Sequence, residues 1–191
     1  MFLDRDGVVV EETGYLHRVE DILYLPGALE AVARLNGAGY AVVLVTNQAG
    51  IARGYYGWEE FAAVEAALEA ALAGVGGHLD GVWACPFHPD GKAPYAHPDH
   101  PFRKPNPGMI EDAARVLNLA REASWLIGDK VCDLEAGLRG GLGGVVHVRT
   151  GHGGAHRPAV AALRALWPHR RIEEADTLAA AVARLLAAER G

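Results

Sequence analysis

Two aspartates near the N-terminus, Asp4 and Asp6, are close enough along the chain to serve one reaction. They follow the apolar run 1–3, and a third aspartate, Asp129, follows the apolar run 124–128, so each carboxylate lies where a strand is predicted to end. In a parallel sheet the carboxyl ends of the strands share one edge, and ligands bind there. Carboxylates bind Mg²⁺ and can also attack phosphorus. The pattern therefore indicates phosphoryl transfer.

Each polar residue of this predicted edge has a role in that chemistry. Asp4 would be the nucleophile that forms a phosphoryl-aspartate, and Asp4 and Asp129 would hold Mg²⁺. Asp6 would donate a proton to the leaving oxygen and later accept one from the hydrolytic water. Lys104 would offset the charge of the phosphate, and Thr46 would offer a hydroxyl to a phosphate oxygen.

The elements that must position these residues alternate between strand and helix, which predicts a doubly wound α/β fold with a mostly parallel sheet flanked by helices. Continuous apolar runs indicate strands that are buried on both faces. We predict strands at 1–3, 40–46, 82–84, 124–128 and 144–148, and helices at 27–36, 58–74, 108–117, 133–139, 158–167 and 176–188.

Residues 1–191 are expected to form a single domain that carries no large cap domain. Two irregular segments lie between the predicted elements. Residues 8–18 are predicted to be a flap, within a stretch that has no clear period up to residue 26. Residues 86–107 form a loop that is dense in Pro, His and Gly. We expect only these two segments to shape specificity at an otherwise open site.

Composition argues against some classes of partner and against a membrane location. The formal net charge of −6 argues against a general nucleic-acid binder, which needs a basic surface. Two cysteines, Cys85 and Cys132, lie far apart and suit a reducing cytoplasm. No apolar run approaches the ~20 residues that a membrane span needs. We therefore expect a cytoplasmic monomer that acts on a small phosphorylated metabolite, without a nucleic acid or a membrane as partner.

Four motifs occur in a defined order along the chain: Asp4-Arg-Asp-Gly-Val, then Thr46, then Lys104, then Gly128-Asp-Lys-Val-Cys-Asp133. In this order they resemble the haloacid-dehalogenase-like (HAD-like) superfamily, which has a Rossmann-type fold. The resemblance implies a Mg²⁺-dependent phosphatase in which the backbone carbonyl of Asp6 is a further metal ligand. It also implies that Thr46 and Lys104 steady the transferring phosphoryl group.

Three longer segments, Thr46–Gly54, Arg103–Met109 and Val148–Gly151, are similar to the branch that contains histidinol phosphatases and heptose-bisphosphatases, and closer to the latter. A sugar bisphosphate is therefore the expected substrate. Histidinol phosphate, a DNA end and an inactive phosphate-binding module are the alternatives. The resemblance implies substrate contacts at Glu12, Thr13, Gly14, Tyr15, Asn47, Gln48, Ala49, Arg103 and Lys130.

The zinc loop of this branch is altered, because two of its four ligand positions are Phe87 and Phe102. Two interpretations stay open. The pairs Cys85-x-x-His88 and His97-x-x-His100 have spacings that suit a tetrahedral zinc site. Alternatively, the two phenylalanines pack as a small apolar core in place of a metal, and the histidines are polar loop residues.

Two smaller expectations concern residues outside the motif centres. Asp133 is predicted to cap a helix or to lie near the metal, and these roles are compatible. His147, His152, His156 and His169 have no evident partner and are expected at the surface.

Overall fold

The computed structural model describes residues 1–188, so the last three residues of the predicted domain lie outside the described part. Six strands form one sheet, and all neighbouring strands are parallel. The predicted doubly wound α/β fold is therefore confirmed. The strands are β1 (Phe2–Leu3), β2 (Val43–Asn47), β3 (Gly81–Cys85), β4 (Trp125–Gly128), β5 (Gly144–Val148) and β6 (Arg171–Ala175).

The order of the strands in the sheet is β3-β2-β1-β4-β5-β6. The chain builds outward from β1 to β3, crosses back, and builds outward in the other direction from β4 to β6. The order therefore reverses between β1 and β4, where Leu3 lies opposite Ile127. A crevice forms beyond the carboxyl ends of strands at such a reversal. Asp4 and Asp129, which directly follow β1 and β4, both reach this crevice.

Helices cover both faces of the sheet. On one face α1, α3 and α7 contribute buried apolar residues to a common core, and on the other face α4, α5 and α6 do so. The short α2 directly follows β2 at the edge that carries the site. The helices are α1 (Ala28–Gly37), α2 (Ala49–Arg53), α3 (Trp58–Gly74), α4 (Gly108–Val116), α5 (Val131–Arg139), α6 (Gly153–Leu166) and α7 (Leu178–Ala188).

The two faces explain why the strands are apolar without alternation. Leu44 of β2 packs on the face of α1 and α7, whereas its neighbours Val43 and Val45 pack on the opposite face. Successive strand residues point to opposite faces, so a strand that is covered on both sides is apolar at every position. No helix among the described residues is both long and apolar enough to cross a membrane.

The largest differences from the sequence prediction concern three elements. Strand β6 was not predicted, because only Ile172 and Ala175 of this edge strand are buried and the rest of it is charged. The short helix α2 was also not predicted. Helix α6 begins at Gly153 rather than at Pro158, which lies inside the helix although proline favours its first position.

The segment that follows the first motif folds back on itself beside the site. The backbone N–H of Glu11 donates to the carbonyl of Leu23, and that of Leu25 donates to the carbonyl of Val9. These bonds pair residues 9–11 with residues 23–25 and bring Glu12 and the residues after it to the rim of the crevice.

Candidate active site

The ammonium of Lys104 lies at the centre of the crevice. Its Nζ atom is 3.0 Å from Oδ1 of Asp4, 2.7 Å from Oδ1 of Asp133 and 2.7 Å from the carbonyl oxygen of Val45. Lys104 and Asp133 are buried, and only 5% of Asp4 is exposed. Burial alone would lower the pKa of Lys104, but the carboxylates of Asp133 and Asp4 raise it above its ordinary value. The lysine therefore carries a fixed positive charge at this position.

Asp133 has a second function in the local fold. Its Oδ2 atom accepts a hydrogen bond of 2.9 Å from the backbone N–H of Lys130, which satisfies a free donor at the start of α5. The predicted cap was therefore placed one turn too late, because the helix begins at Val131 and Asp133 lies inside its first turn. One side chain thus links the helix N-terminus to the buried ammonium of Lys104.

Asp129 provides an oxygen atom that nothing in the described chain satisfies. Its Oδ2 atom accepts a hydrogen bond of 2.8 Å from the backbone N–H of His152, whereas its buried Oδ1 atom has no partner among residues 1–188. The burial of Asp129, together with the negative charges of Asp4 and Asp133, raises its pKa to about 7. A cation bound here would satisfy the Oδ1 atom and favour the ionised carboxylate.

The donor set around that oxygen fits a hard divalent cation. Asp4, Asp129 and Asp133 can each offer one oxygen such that all three atoms lie within 4.8 Å of one another. Such oxygen donors suit Mg²⁺, which usually binds one or two carboxylates and keeps several waters. Gly7 allows the backbone after Asp6 to lie close to the carboxylate of Asp129. Its φ is +80°, and a Cβ atom at this position would overlap that carboxylate.

Asp6 lies on the other side of the crevice and is held by two residues. The guanidinium of Arg5 contacts both of its carboxylate oxygens at 3.0–3.1 Å, and Nε2 of Gln48 donates to its Oδ2 atom at 3.1 Å. Burial, together with the charges of Asp4 and Glu12, raises the pKa of Asp6 against the opposing effect of Arg5. This environment favours a carboxyl group that can carry a proton.

The last residues of β2, together with Gln48, hold both Asp6 and Lys104 in the crevice. Oγ1 of Thr46 accepts a hydrogen bond of 2.8 Å from Nε2 of Gln48. Asn47 binds the main chain of Lys104 twice, since its Nδ2 atom donates to the carbonyl oxygen at 3.0 Å and its Oδ1 atom accepts from the backbone N–H at 3.1 Å. Asn47, which was predicted to contact substrate, therefore also positions the loop that carries Lys104.

A cavity of about 590 Å³ opens above these residues. On one side of it Oε2 of Glu12 lies 2.8 Å from Nζ of Lys130. On the other side Nη1 of Arg53 donates a hydrogen bond of 2.6 Å to the hydroxyl of Tyr15. The predicted site residues that line the cavity are Asp4, Asp6, Glu12, Gly14, Tyr15, Thr46, Asn47, Gln48, Ala49, His88, Arg103, Lys104 and Lys130.

Five predicted residues do not line this cavity: Thr13, Asp129 and three of the four possible zinc ligands, Cys85, His97 and His100. Thr13 is exposed and does not belong to the lining, although its neighbours Glu12 and Gly14 do. Asp129 is fully buried and contributes no surface to the cavity.

Comparison with known proteins agrees with this geometry. The family model described as HAD-hydrolase-like matches residues 101–181. A D-glycero-β-D-manno-heptose-1,7-bisphosphate 7-phosphatase of Photorhabdus laumondii is 43% identical over 151 residues, which are 79% of this chain and 80% of the relative. The chain belongs to the HAD-like hydrolases.

Further relatives of this HAD-like hydrolase are also phosphatases. A protein of the same name from Mesorhizobium japonicum is 48% identical over 142 residues, which are 74% of this chain but only 65% of the relative. The crystal structure of D,D-heptose 1,7-bisphosphate phosphatase from B. bronchiseptica, complexed with magnesium and phosphate, superposes with a TM-score of 0.84 at 34% identity. That structure covers 98% of each chain.

The candidate zinc ligands of this HAD-like hydrolase are not brought together. Cys85, His88, His97 and His100 do not supply three or more ligand atoms that converge on one point. Cys85 is buried in the core under α4, and burial raises the pKa of its thiol. Each of the three histidines uses its Nδ1 atom to accept a hydrogen bond from the backbone N–H two residues further along. The predicted tetrahedral set therefore has no support in this geometry.

Aromatic packing occupies the loop instead. The ring of Phe87 stacks on that of His100, with centroids 3.7 Å apart, and Phe102 packs edge-on against His100 at 5.8 Å. Phe87 also meets Tyr95 edge-on at 5.7 Å. Each such aromatic pair contributes roughly 0.5–1.5 kcal/mol to stability beyond the effect of burying its surface area.

Several residues of the site were not recognised from the sequence. His147 was expected at the surface, but it is fully buried in β5, and its Nε2 atom lies 3.0 Å from the carbonyl oxygen of Asp129. Arg53 and Tyr56 line the cavity as well. Arg5 was not predicted to have a role of its own. Its position between Asp4 and Asp6 was the signal that could have indicated one.

Replacement of Asp133 by Ala should destabilise the protein by roughly 3 kcal/mol, because the buried ammonium of Lys104 loses a carboxylate and a buried charge without its partner is costly. Urea unfolding measures this change. Asp176→Ala is the matched control, since the Asp176 side chain is 69% exposed and its ion pair contributes about 0–1 kcal/mol. Equal unfolding midpoints for the two variants would show that Asp133 does not stabilise the site.

Proposed function

We propose that this HAD-like hydrolase is a phosphatase that removes the 7-phosphate of D-glycero-D-manno-heptose 1,7-bisphosphate through a phosphoryl group carried on Asp4. One observation carries the proposal. Oδ1 of Asp4 accepts hydrogen bonds from the backbone N–H of Arg5 and from Lys104, whereas Oδ2 accepts none from residues 1–188, and Asp4 lines the cavity. The unused oxygen is available as a nucleophile.

In the first step Oδ2 of Asp4 forms a bond to phosphorus, and the bond from phosphorus to the sugar oxygen breaks with its electron pair on that oxygen. Asp6 donates its proton to the leaving oxygen, as its raised pKa favours. In the second step the oxygen of a water molecule attacks phosphorus, and Asp6 takes the proton of that water. The bond from phosphorus to Oδ2 then breaks, which restores the carboxylate of Asp4.

The residues that surround the phosphoryl group stabilise its charge. The Lys104 ammonium lies 3.0 Å from Asp4, and the hydroxyl of Thr46 can donate to a phosphoryl oxygen while it accepts from Gln48. Fixed donors at such positions are a large part of enzymatic catalysis.

Mg²⁺ is the cofactor of this proposal. The side chains of Asp4 and Asp129 and the backbone carbonyl of Asp6 would hold it, and when bound it would reduce the repulsion between the phosphate and the Asp4 carboxylate. Support comes from the unpartnered Oδ1 atom of Asp129 and from the magnesium and phosphate in the B. bronchiseptica structure.

The far side of the cavity favours a substrate with a second anionic group. Arg53 and Arg103 both line the cavity, and neither forms an ion pair with a carboxylate of the described chain. Lys130, by contrast, is neutralised by Glu12. Two unneutralised guanidiniums are suited to a second phosphate. The two guanidiniums would repel the ammonium group of histidinol phosphate. Histidinol phosphate is therefore the second candidate substrate.

The remaining alternatives fit less well. A DNA end would bring further phosphates to a chain whose formal net charge is −6. An inactive phosphate-binding module would not need a carboxyl group with a raised pKa at Asp6 beside an unused oxygen of Asp4. Relatives are named for the β-anomer and for the α-anomer of the heptose bisphosphate, so both anomers belong in any test.

The proposed substrate is tested by the specificity constant kcat/KM in the presence of Mg²⁺. The compounds to compare are both anomers of the bisphosphate, the heptose 7-phosphate and histidinol phosphate. We expect one of the bisphosphates to be hydrolysed fastest, and loss of the 1-phosphate to reduce kcat/KM about tenfold or more, as a charge-assisted contact predicts. A higher kcat/KM for histidinol phosphate would reverse the ranking.

Asp4→Asn should reduce kcat by roughly 10⁴-fold or more, because an amide oxygen is a poor nucleophile and the loss of a nucleophile alone removes most of the catalysis. Binding of phosphate, followed by calorimetry, should persist. Asp21→Asn, at a side chain that is 55% exposed, is the control and should keep full turnover. Turnover by Asp4→Asn close to that of the parent would exclude Asp4 as the nucleophile.

We propose that the loop at 86–107 is held by aromatic packing and contains no zinc. The stacking of Phe87 on His100 and the burial of Cys85 support this. Elemental analysis of the purified protein should find far less than one equivalent of zinc. One equivalent of zinc that disappears in Cys85→Ala would contradict this part of the proposal.

The setting of the reaction is also proposed. The free cysteines Cys85 and Cys132 suit a reducing compartment such as the cytoplasm. One chain supplies every residue named in the mechanism, which is consistent with a monomer that acts on a small phosphorylated sugar without a nucleic acid.

A further inference from the structure

Arg5 lies between the proposed nucleophile and the proposed acid–base residue, and it is completely buried. Its Nε and Nη2 atoms contact Asp6 at 3.0–3.1 Å. Its Nη1 atom points the other way and donates a hydrogen bond of 2.8 Å to Oε1 of Glu65. The edge of the guanidinium that is not used by Asp6 is therefore held by a second carboxylate.

Glu65 reaches this position from α3, sixty residues later in the chain. It is 7% exposed, and no second cation pairs with it, since its buried Oε2 atom has no partner among the described residues. Burial raises the pKa of Glu65. A buried carboxylate is costly, and a buried ion pair often stabilises a fold less than apolar residues of the same size would. Stability alone is thus a weak reason for a glutamate here.

We propose that Glu65 is a positioning residue for the acid–base step: through Arg5 it fixes the orientation of the Asp6 carboxyl group toward the leaving oxygen. A planar guanidinium that is bonded along two edges has one orientation. The Asp6 carboxyl group is then held between that plane and Nε2 of Gln48. This inference rests on the proposed function, because it assumes that Asp6 protonates the leaving group.

Leaving groups of different basicity separate this role from a purely structural one. An alkyl phosphate such as the heptose bisphosphate needs a proton on its leaving oxygen, whereas p-nitrophenyl phosphate expels a stable phenolate and needs little help. A variant that is merely less folded loses the same fraction of activity on both substrates. The ratio of the two kcat/KM values therefore does not depend on the folded fraction. It also covers only the steps up to departure of the leaving group, before the hydrolysis of phosphoryl-Asp4 that both substrates share.

The experiment compares Glu65→Gln with Asp6→Asn and with Glu69→Gln. Glutamine keeps the size of residue 65 but removes its charge. Glu69 lies one turn further along α3 and forms no ion pair in the described chain, so Glu69→Gln is the matched control and should behave like the parent. We expect Asp6→Asn to lower kcat/KM by roughly 10²-fold or more on the alkyl phosphate and far less on p-nitrophenyl phosphate.

Glu65→Gln should show the same selectivity to a smaller extent, with kcat/KM about tenfold lower on the alkyl phosphate and within about threefold of the parent on p-nitrophenyl phosphate. If this variant does not fold, Arg5→Lys provides the test, since an ammonium cannot hold both carboxylates in one plane. Equal losses on both substrates, or no loss, would overturn the role of Glu65. If Asp6→Asn also lacks selectivity, the acid–base assignment of the proposed function fails instead.

Discussion

The ammonium of Lys104 is enclosed by oxygen atoms, with Asp4 and Asp133 at 3.0 Å and 2.7 Å and the carbonyl of Val45 at 2.7 Å. These groups come from the ends of β1 and β2 and from the first turn of α5. Three carboxylates whose oxygens lie within 4.8 Å of one another would repel each other without this charge. The lysine therefore both stabilises the edge of the sheet and leaves one oxygen of Asp4 free to react. The hydrogen bonds of Asn47 to its main chain keep it there.

The aspartates of the site differ in role because their neighbours differ. Asp133 is fully committed to Lys104 and to the start of α5, so it has a structural task. Asp129 keeps a buried oxygen without a partner and suits a cation. Asp6, between Arg5 and Gln48, has a raised pKa and suits proton transfer. In the proposed mechanism one residue type thus supplies several functions, and the environment decides which function each carboxylate has.

Sequence reasoning succeeded where a local pattern determines the structure. The apolar run 40–46 and the polar residues after it predicted β2 and the start of the site. It failed where distant residues determine the environment. His147 in β5 contacts the carbonyl of Asp129 after β4, and Glu65 contacts Arg5 only because α3 brings it there. Neither contact leaves a local signal. Strand β6 was missed because an edge strand needs few apolar residues.

The central claim is a covalent bond between phosphorus and one named carboxylate. Borohydride reduces an acyl phosphate to an alcohol. Quenching with borohydride during turnover, followed by mass spectrometry of the peptides that contain Asp4 and Asp129, therefore tests it directly. We expect homoserine at position 4 in place of Asp4, and only in samples that contain substrate. Unaltered Asp4 together with a reduced aspartate elsewhere, such as Asp129, would contradict it.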